Sequence, residues 1–552
     1  MATAGVAALV CYITATLPPR AVTLEGALPR TTVFGGYHIH TVRSDGSGTP
    51  DDVAAAAARS GLAFVILTDH GDGTRPPDPP TYRRGVLCLD AVEINTLAGH
   101  LVALGLTTAA PYPLAGEARD VIDDVHRLGG WAVIAHPDSP NPALRWRDWT
   151  VPYDGIEWLN ADSEWRGHGV PDLVGTALRA LVRPPEAIAS LFKRPTRTLQ
   201  RWDAVNQLRP VVALAALDAH ARLAWQGTAE PRQRTLVARP TYEDMFRTLV
   251  QGVVLDAPLS GDAESDAAHL LAAIESGRTF SVVRAFAGPV TLDYIARQAG
   301  QTVAMGGRLP EMGAASFRAA VPQAPGVDVE LIEGARVVTR GKGIVELNGP
   351  PSPGSYRVEV HFPGFDIPWI VSNPIYADLP VPGPTAVPAP AAAPNEPLDV
   401  DRATWRVEHD ASSSATITAD AGMMSLAFTL GSGAPAGQYA AAVTDVNSAD
   451  AFDGVRFTVR ADRPMRVSVQ LRLLGSQRWR RSVYVDRTAR SVVVHLDEFE
   501  PVETTSTLRP NAARVRSLLF VIDTLNTAPG TAGTLILSGI SLTKAPNLDS
   551  VR

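Results

Sequence analysis

The stretch HIHTVRSDGSGTPDDVAAAAARSGLAFVILTDH, residues 38–70, decides how the chain is read. It opens on His38 and His40, passes an SDG turn at Asp45, and closes on Asp69 and His70 after the apolar run FVILT. Between them, Thr49-Pro50-Asp51-Asp52 followed by VAAAAARSG has the order of a helix. It offers an N-cap, a proline at the first helical position, an acidic first turn and Gly61 as the stop. Ala115 to Gly130 repeats that order, with acids early, Arg127 late and Gly129-Gly130 as terminator. Apolar runs alternating with such helices predict βα units and a parallel sheet over Val33–Leu223.

The apolar runs end, one after another, in groups able to bind metal. VFGGY leads into His38 and His40, FVILT into Asp69 and His70, VLCLDAV into Glu93, AVIA into His136, and VVALAAL into Asp218 and His220. A parallel α/β barrel gathers the C-terminal ends of its strands at one face, so these side chains are expected to converge. His-x-His on an extended segment projects both imidazoles to one side, as a shared metal requires. Glu93 and Asp218 follow apolar strands, where an unpaired carboxylate is costly and a cation or donor is needed beside each. Taken singly each element is weak, since an SDG turn commonly only caps its own backbone. His126, His269, His361, His409 and His495 lack such clustering and are left out of the site. His168, just after the Glu157–Asn160 strand end, is a loop position within reach of a substrate.

The chain has 552 residues, which at roughly 100–200 residues per domain predicts several domains. With 50 Lys+Arg against 57 Asp+Glu it lacks the basic excess of a nucleic-acid binder, and no nucleic-acid partner is expected. Cys11 and Cys88 are too few for a disulfide framework or a thiolate zinc site, though one pair could bridge. Residues 1–31 carry an uncharged apolar stretch that reads either as a signal-like segment without a preceding Lys or Arg, or as a buried first strand. A signal implies a secreted or periplasmic protein, its absence a cytoplasmic one. No stretch approaches the ~20 apolar residues of a membrane-spanning helix.

Residues 162–210 are mainly helical and polar, an insertion suited to a lid. Residues 290–378 alternate with period two and predict a small Ig-like β-sandwich. Leu379–Pro397, dense in Pro and Ala, predicts a semi-rigid linker. Residues 398–552 hold many alternating runs and predict an all-β sandwich or jelly roll.

At residues 32–285 the chain resembles the PHP (polymerase and histidinol phosphatase) domain. The carriers are the quoted stretch, VEINTLAGHLVALGL, GGWAVIAHPDS, DGIEWLN and LDAHAR, in that order. The resemblance implies a distorted (β/α)7 barrel with two or three divalent ions. It implies one ion on His38, His40, Glu93 and Asp218, a second on Glu93, His100 and His136, and a third on Asp45, His70 and His220. Asp69 falls outside that ligand set and is expected to orient His70 or its neighbours. DGIEWLNADSEWR, the helical insertion and PWIVSNPIY resemble, more loosely, a carbaryl-hydrolase-like branch. The C-terminal domain resembles galactose-binding-like jelly rolls.

Imidazole and carboxylate ligands without thiolate suit zinc or manganese first, and iron(II). The implied reaction is phosphoester hydrolysis by a hydroxide between the ions, with Glu93 and Asp218 acting through the metals. Arg43, Arg84 and Arg166 are candidates to neutralise phosphate oxygens. The same site would also serve a carbamate, amide or ester hydrolase. A reading from another class makes the chain a glycan-binding or scaffold protein, with Trp405 or Trp479 stacking on sugars.

Overall fold

The computed structural model describes residues 2–224, 235–237, 239–310, 313–378, 395–397, 405–420, 422–433, 437–446, 452–502, 507 and 509–543. Most of the expected linker lies outside the described residues. The chain divides into two compact units, residues 1–109 with 117–382, and residues 110–116 with 383–552.

The first unit is mixed α/β. Thr32–Ile39, Phe64–Leu67 and Val86–Asp90 pair in parallel, separated by the helix Pro50–Arg59, whose Thr49 and Asp52 close a capping box. Gly155–Asn160 pairs in parallel with both Trp131–Ile134 and Val212–Ala216. The strands form two sheets, and among the described residues these do not close into a barrel. The long sheet runs through eleven strands; the other has five, in the order Val212–Ala216, Gly155–Asn160, Trp131–Ile134, Gly99–Leu104, Val92–Thr96. The physical reason is local. Only Ala91 separates Val86–Asp90 from Val92–Thr96, too short for a helical crossover, and Val92–Thr96 then folds back antiparallel on Gly99–Leu104. The two sheets meet through isolated parallel bridges, Ile39 with Ala219 and His70 with Glu93, both at site residues or beside them.

One apolar core serves both sheets. Tyr37, Phe64, Ile66 and Leu89 from the long sheet pack with Val102, Val133 and Leu214 from the other and with Leu270 and Ile274 of the helix Ala263–Glu275. Each such side chain stabilises by roughly 1.5–3 kcal/mol on burial, which holds the strand ends in fixed relation. The 162–210 insertion is helical, comprising Val170–Ala180, Pro184–Ala189 and Thr196–Asn206 after the short helix Ala161–Trp165.

Two expectations are corrected. Ala2–Thr16 is an α-helix and not a buried strand, with Val6, Leu9, Val10 and Tyr12 exposed; five alanines favour the helix. No described helix is long and apolar enough to cross a membrane. Within 290–378, one sheet is separate, in the order Gln301–Ala304, Asp293–Gln298, Ala315–Ala320, Ile344–Gly349. The facing strands Arg336–Lys342, Asp328–Glu333, Gly354–His361 and Ile370–Ser372 are the far end of the long sheet, because Ile370–Ser372 pairs with Phe280–Val282.

The second unit is a sandwich of two six-stranded antiparallel sheets. Alternate residues such as Phe457, Val469, Trp479 and Phe520 fill its core. Trp479 is fully buried and Trp405 packs against the same core beside Phe520, so neither presents a sugar-stacking face. Cys11 and Cys88 are both free thiols.

Candidate metal centre

The nine residues expected to bind metal do come together. Glu93 is their hub, almost wholly buried in Val92–Thr96. Its Oε1 lies 2.8 Å from His100 Nδ1 and 2.9 Å from His136 Nε2. Its Oε2 lies 3.1 Å from His70 Nδ1 and 3.3 Å from both His38 Nε2 and His40 Nε2. Asp218 Oδ1 faces the last two nitrogens at 3.5 and 3.2 Å, and these stand 3.2 Å apart. Asp45 meets His40 Nδ1 at 3.4 Å, His220 Nε2 at 3.2 Å and His70 Nε2 at 3.8 Å.

The backbone is bent to achieve this. His38 has φ 62°, His136 30° and Asp218 49°, left-handed values that a non-glycine residue adopts at a cost of order 1–3 kcal/mol. At His38 the pairing of Thr32–Ile39 with Phe64–Leu67 slips register between Tyr37 and Ile39. The two imidazoles therefore converge through a bulge and not by simple alternation along an extended strand. Asp45 is carried by a turn closed by Gly46, whose N–H donates to the Thr41 carbonyl. A Cβ on Gly46 would sit 2.2 Å from the His40 carbonyl oxygen, so only glycine fits.

Charge in the cluster is mutually dependent. Burial opposes an imidazolium at His38, yet Glu157, Asp218 and Glu93 raise its pKa well above the ordinary value. His40 and His136 are also raised against burial, and His220 is pushed up to about 10 with Asp45 and Asp218 as partners. His70 is lowered, by burial first. Burial would raise Glu93 and Asp218, but the surrounding histidines, His38 foremost, hold both well below the carboxylate range. Asp45 is likewise lowered by His220 against burial. These carboxylates demand positive charge in their midst, and imidazole nitrogens share that space. Three groups have donor atoms all within 4.8 Å of one another and could hold a metal: His40, Asp45, His70 and His220; His38, His40 and Glu93; His70, Glu93 and His100.

Asp69 supports the turn instead of touching His70. Its carboxylate accepts hydrogen bonds from Thr41 N (2.7 Å), Thr41 Oγ1 (2.7 Å) and Ser44 Oγ (2.6 Å), and Ser44 Oγ lies 3.3 Å from His40 Nδ1. Among the substrate candidates, Arg43 lines a pocket of about 110 Å³ with Asp69, His70 and Arg75, and pairs with Asp78 and Asp90. Arg84 sits exposed, at φ 54°, in the turn between Thr81–Arg83 and Val86–Asp90. Arg166 is engaged by Asp162 and lies over the Trp165 ring. His168 Nε2 lies 2.8 Å from the Leu191 carbonyl.

Sequence reasoning missed three contributors. Glu157, fully buried, places Oε1 2.5 Å from His38 Nδ1, while Oε2 accepts from His136 N (2.7 Å) and Asn160 Nδ2 (2.9 Å). Asn160 Nδ2 also reaches Asp218 at 3.2 Å. Arg222 stands 3.9 Å from Asp45, its side chain buried. The available signal for Glu157 was the one used for Glu93, an acid set in an apolar strand.

A comparison with models of known protein families finds no match. The chain is similar to the 3',5'-nucleoside bisphosphate phosphatase of Chromobacterium violaceum, 36% identical over 85 residues. The match covers 14% of this chain and 30% of that protein. Among solved structures, a two-domain protein containing a predicted PHP-like metal-dependent phosphoesterase from Bacteroides vulgatus aligns over 64% of this chain and 99% of its own, at 15% identity and TM-score 0.29. A family 11 carbohydrate-binding module of a Clostridium thermocellum cellulase aligns over 28% of this chain and 97% of its own, at 13% identity and TM-score 0.24. Over those 85 residues the chain thus resembles a protein named as a phosphatase, and it spans less than a third of that protein's length.

Proposed function

We propose that this chain is a multinuclear metal-dependent phosphoesterase. The observation that carries the reading is the convergence of six imidazoles and two further carboxylates with the buried Glu93 carboxylate, all of them zinc- or manganese-competent donors without a thiolate. In this reading His38, His40, Glu93 and Asp218 hold one ion, Glu93, His100 and His136 a second, and Asp45, His70 and His220 a third. Such ions would polarise a phosphoryl oxygen and acidify a water to hydroxide near neutral pH.

The chain's own residues supply the positioning. Glu157 would accept a hydrogen bond from His38 Nδ1–H, which leaves the Nε2 lone pair for an ion held toward Glu93 and Asp218. Asp69 fixes the Thr41–Ser44 turn and so the approach of Asp45. Arg43, paired with Asp78 and Asp90, offers positive charge beside His70, and the buried Arg222 adds its charge near Asp45.

The test is elemental analysis of purified protein, wild type and His38→Ala/Glu93→Ala, with hydrolysis of a phosphomonoester, a phosphodiester and an aryl carbamate on the same samples. Two or three metals per chain, lost with phosphoester turnover in the variant, are expected. Turnover of the carbamate alone would move the reading to carbonyl chemistry, and a folded protein that takes up neither zinc, manganese nor iron(II) would overturn it.

A further inference from the structure

On the far end of the long sheet, away from the residues above in sequence, a second set of donors meets. Glu359 and His361 are two apart on Gly354–His361 and so share a face; Glu330, on the adjacent antiparallel strand Asp328–Glu333, is the direct partner of Glu359. Two carboxylates placed directly opposite on one face repel, and such a pair needs a cation. Arginines meet part of that need. Glu359 Oε1 accepts from Arg357 Nη1 (2.6 Å) and Arg194 Nη2 (2.8 Å), its Oε2 is bonded by Arg194 Nη1, and Glu330 Oε1 stands 3.3 Å from Arg340.

One nitrogen of the set is left without a partner. His361 Nε2 is shut off from solvent and has no hydrogen-bond partner, although it lies between Glu359 Oε2 at 3.4 Å and Glu330 Oε2 at 3.6 Å. These separations are poor for hydrogen bonds but match the edge of a tetrahedral zinc site, about 3.4 Å for bonds near 2.1 Å. An octahedral site with the same bonds has edges of about 3.0 Å, which fits less well. The donor atoms of Glu330, Glu359 and His361 all lie within 4.8 Å of one another. They border a cavity of about 520 Å³ whose lining also includes Asp203, Asp328 and Asp366, so acids outnumber the arginines Arg194, Arg340 and Arg357 there.

The geometry points to a zinc site formed by Glu330, Glu359 and His361, with its fourth position open to the cavity. It is separate from the Glu93 cluster and does not depend on that cluster's chemistry. Because Arg194 belongs to the insertion, just ahead of the helix Thr196–Asn206, a zinc ion on Glu359 would share that carboxylate with the insertion's anchor.

The experiment is zinc stoichiometry by elemental analysis on the full chain, stripped with chelator and re-equilibrated at fixed free zinc, for wild type, His361→Ala and Glu330→Gln. Each variant is expected to hold one zinc fewer than wild type while retaining the metals at Glu93 and phosphoester turnover. Thermal unfolding checks that the variants are folded, and if His361→Ala is not, the milder Glu330→Gln decides. Equal zinc content in folded variant and wild type would overturn the assignment.

Discussion

Replacing Glu157 with glutamine tests the positioning argument with almost no change of shape. The carboxylate serves three donors, His38 Nδ1 at 2.5 Å, His136 N at 2.7 Å and Asn160 Nδ2 at 2.9 Å. A glutamine has one oxygen and one amide nitrogen. If the oxygen faces His136 N and Asn160, the amide donates to His38 Nδ1 and drives the imidazole proton to Nε2, onto the nitrogen that faces Glu93 and Asp218. If the oxygen faces His38, the amide confronts two donors, each left unsatisfied at about 1–3 kcal/mol. The first arrangement is the cheaper, and it removes a lone pair from the metal position. Loss of such a partner weakens metal affinity about 10–100-fold, equivalent to about 1.4–2.8 kcal/mol. The assay is competition for zinc or manganese against a chromophoric chelator, with chemical unfolding of the metal-free protein to separate affinity from stability. Metal affinity in E157Q equal to wild type would refute the tautomer argument.

Further expectations follow from the same contacts. Asp69→Ala removes the acceptor of three hydrogen bonds in the Thr41–Ser44 turn and is expected to cost about 3–5 kcal/mol, read by urea unfolding, with weaker metal uptake. Arg357, buried between Asp203 (2.6 and 2.9 Å) and Glu359 (2.6 Å), is expected to cost about 3–5 kcal/mol when changed to Met, because buried Asp203 loses its partner while Glu359 keeps Arg194; Arg357→Met/Asp203→Leu should recover part of that loss. Glu164 is raised by burial to about 7 from 4.5, so between these values the folded state holds a proton that the unfolded state has released. Its contribution to stability is therefore full below pH 4.5 and declines as pH rises to 7, by at most about 3 kcal/mol and about 2 once its partial exposure is counted. Glu164→Gln should flatten that part of the stability profile, and an unchanged slope would place the titration elsewhere.

Much of the site was legible because its chemistry is written at strand ends. His38, His40, His70, His136, Asp218 and His220 each follow an apolar run, and buried strands put such residues where burial forces a partner on them. His100 and Glu93 sit on one hairpin, Asn95 opposite His100, which spacing alone does not reveal. Glu157 was visible as an acid in an apolar strand but bears no ligand pattern, since its role is to hold an imidazole. Of the distorted barrel, the mixed α/β character was legible and the sheet arrangement was not. Alternation of strands and helices says that sheets form, but not where a one-residue break turns a crossover into a hairpin. Likewise, period-two alternation in 290–378 predicted a sandwich without showing that one of its sheets is borrowed, because hydrogen-bond partners across 90 residues leave no local trace.

That borrowing limits how this chain could be cut or recombined. Phe280–Val282 takes its outer hydrogen bonds from Ile370–Ser372, so a protein ended near residue 290 would present a bare edge of a sheet in which Thr32–Ile39, the strand that carries His38, lies only two strands further in. Bare edges invite pairing with other copies. The natural breakpoint for gene shuffling, or for preparing a fragment that holds the Glu93 cluster, therefore falls after Ala377, and a fragment that spares that cluster but stops at 290 should be recovered as aggregate.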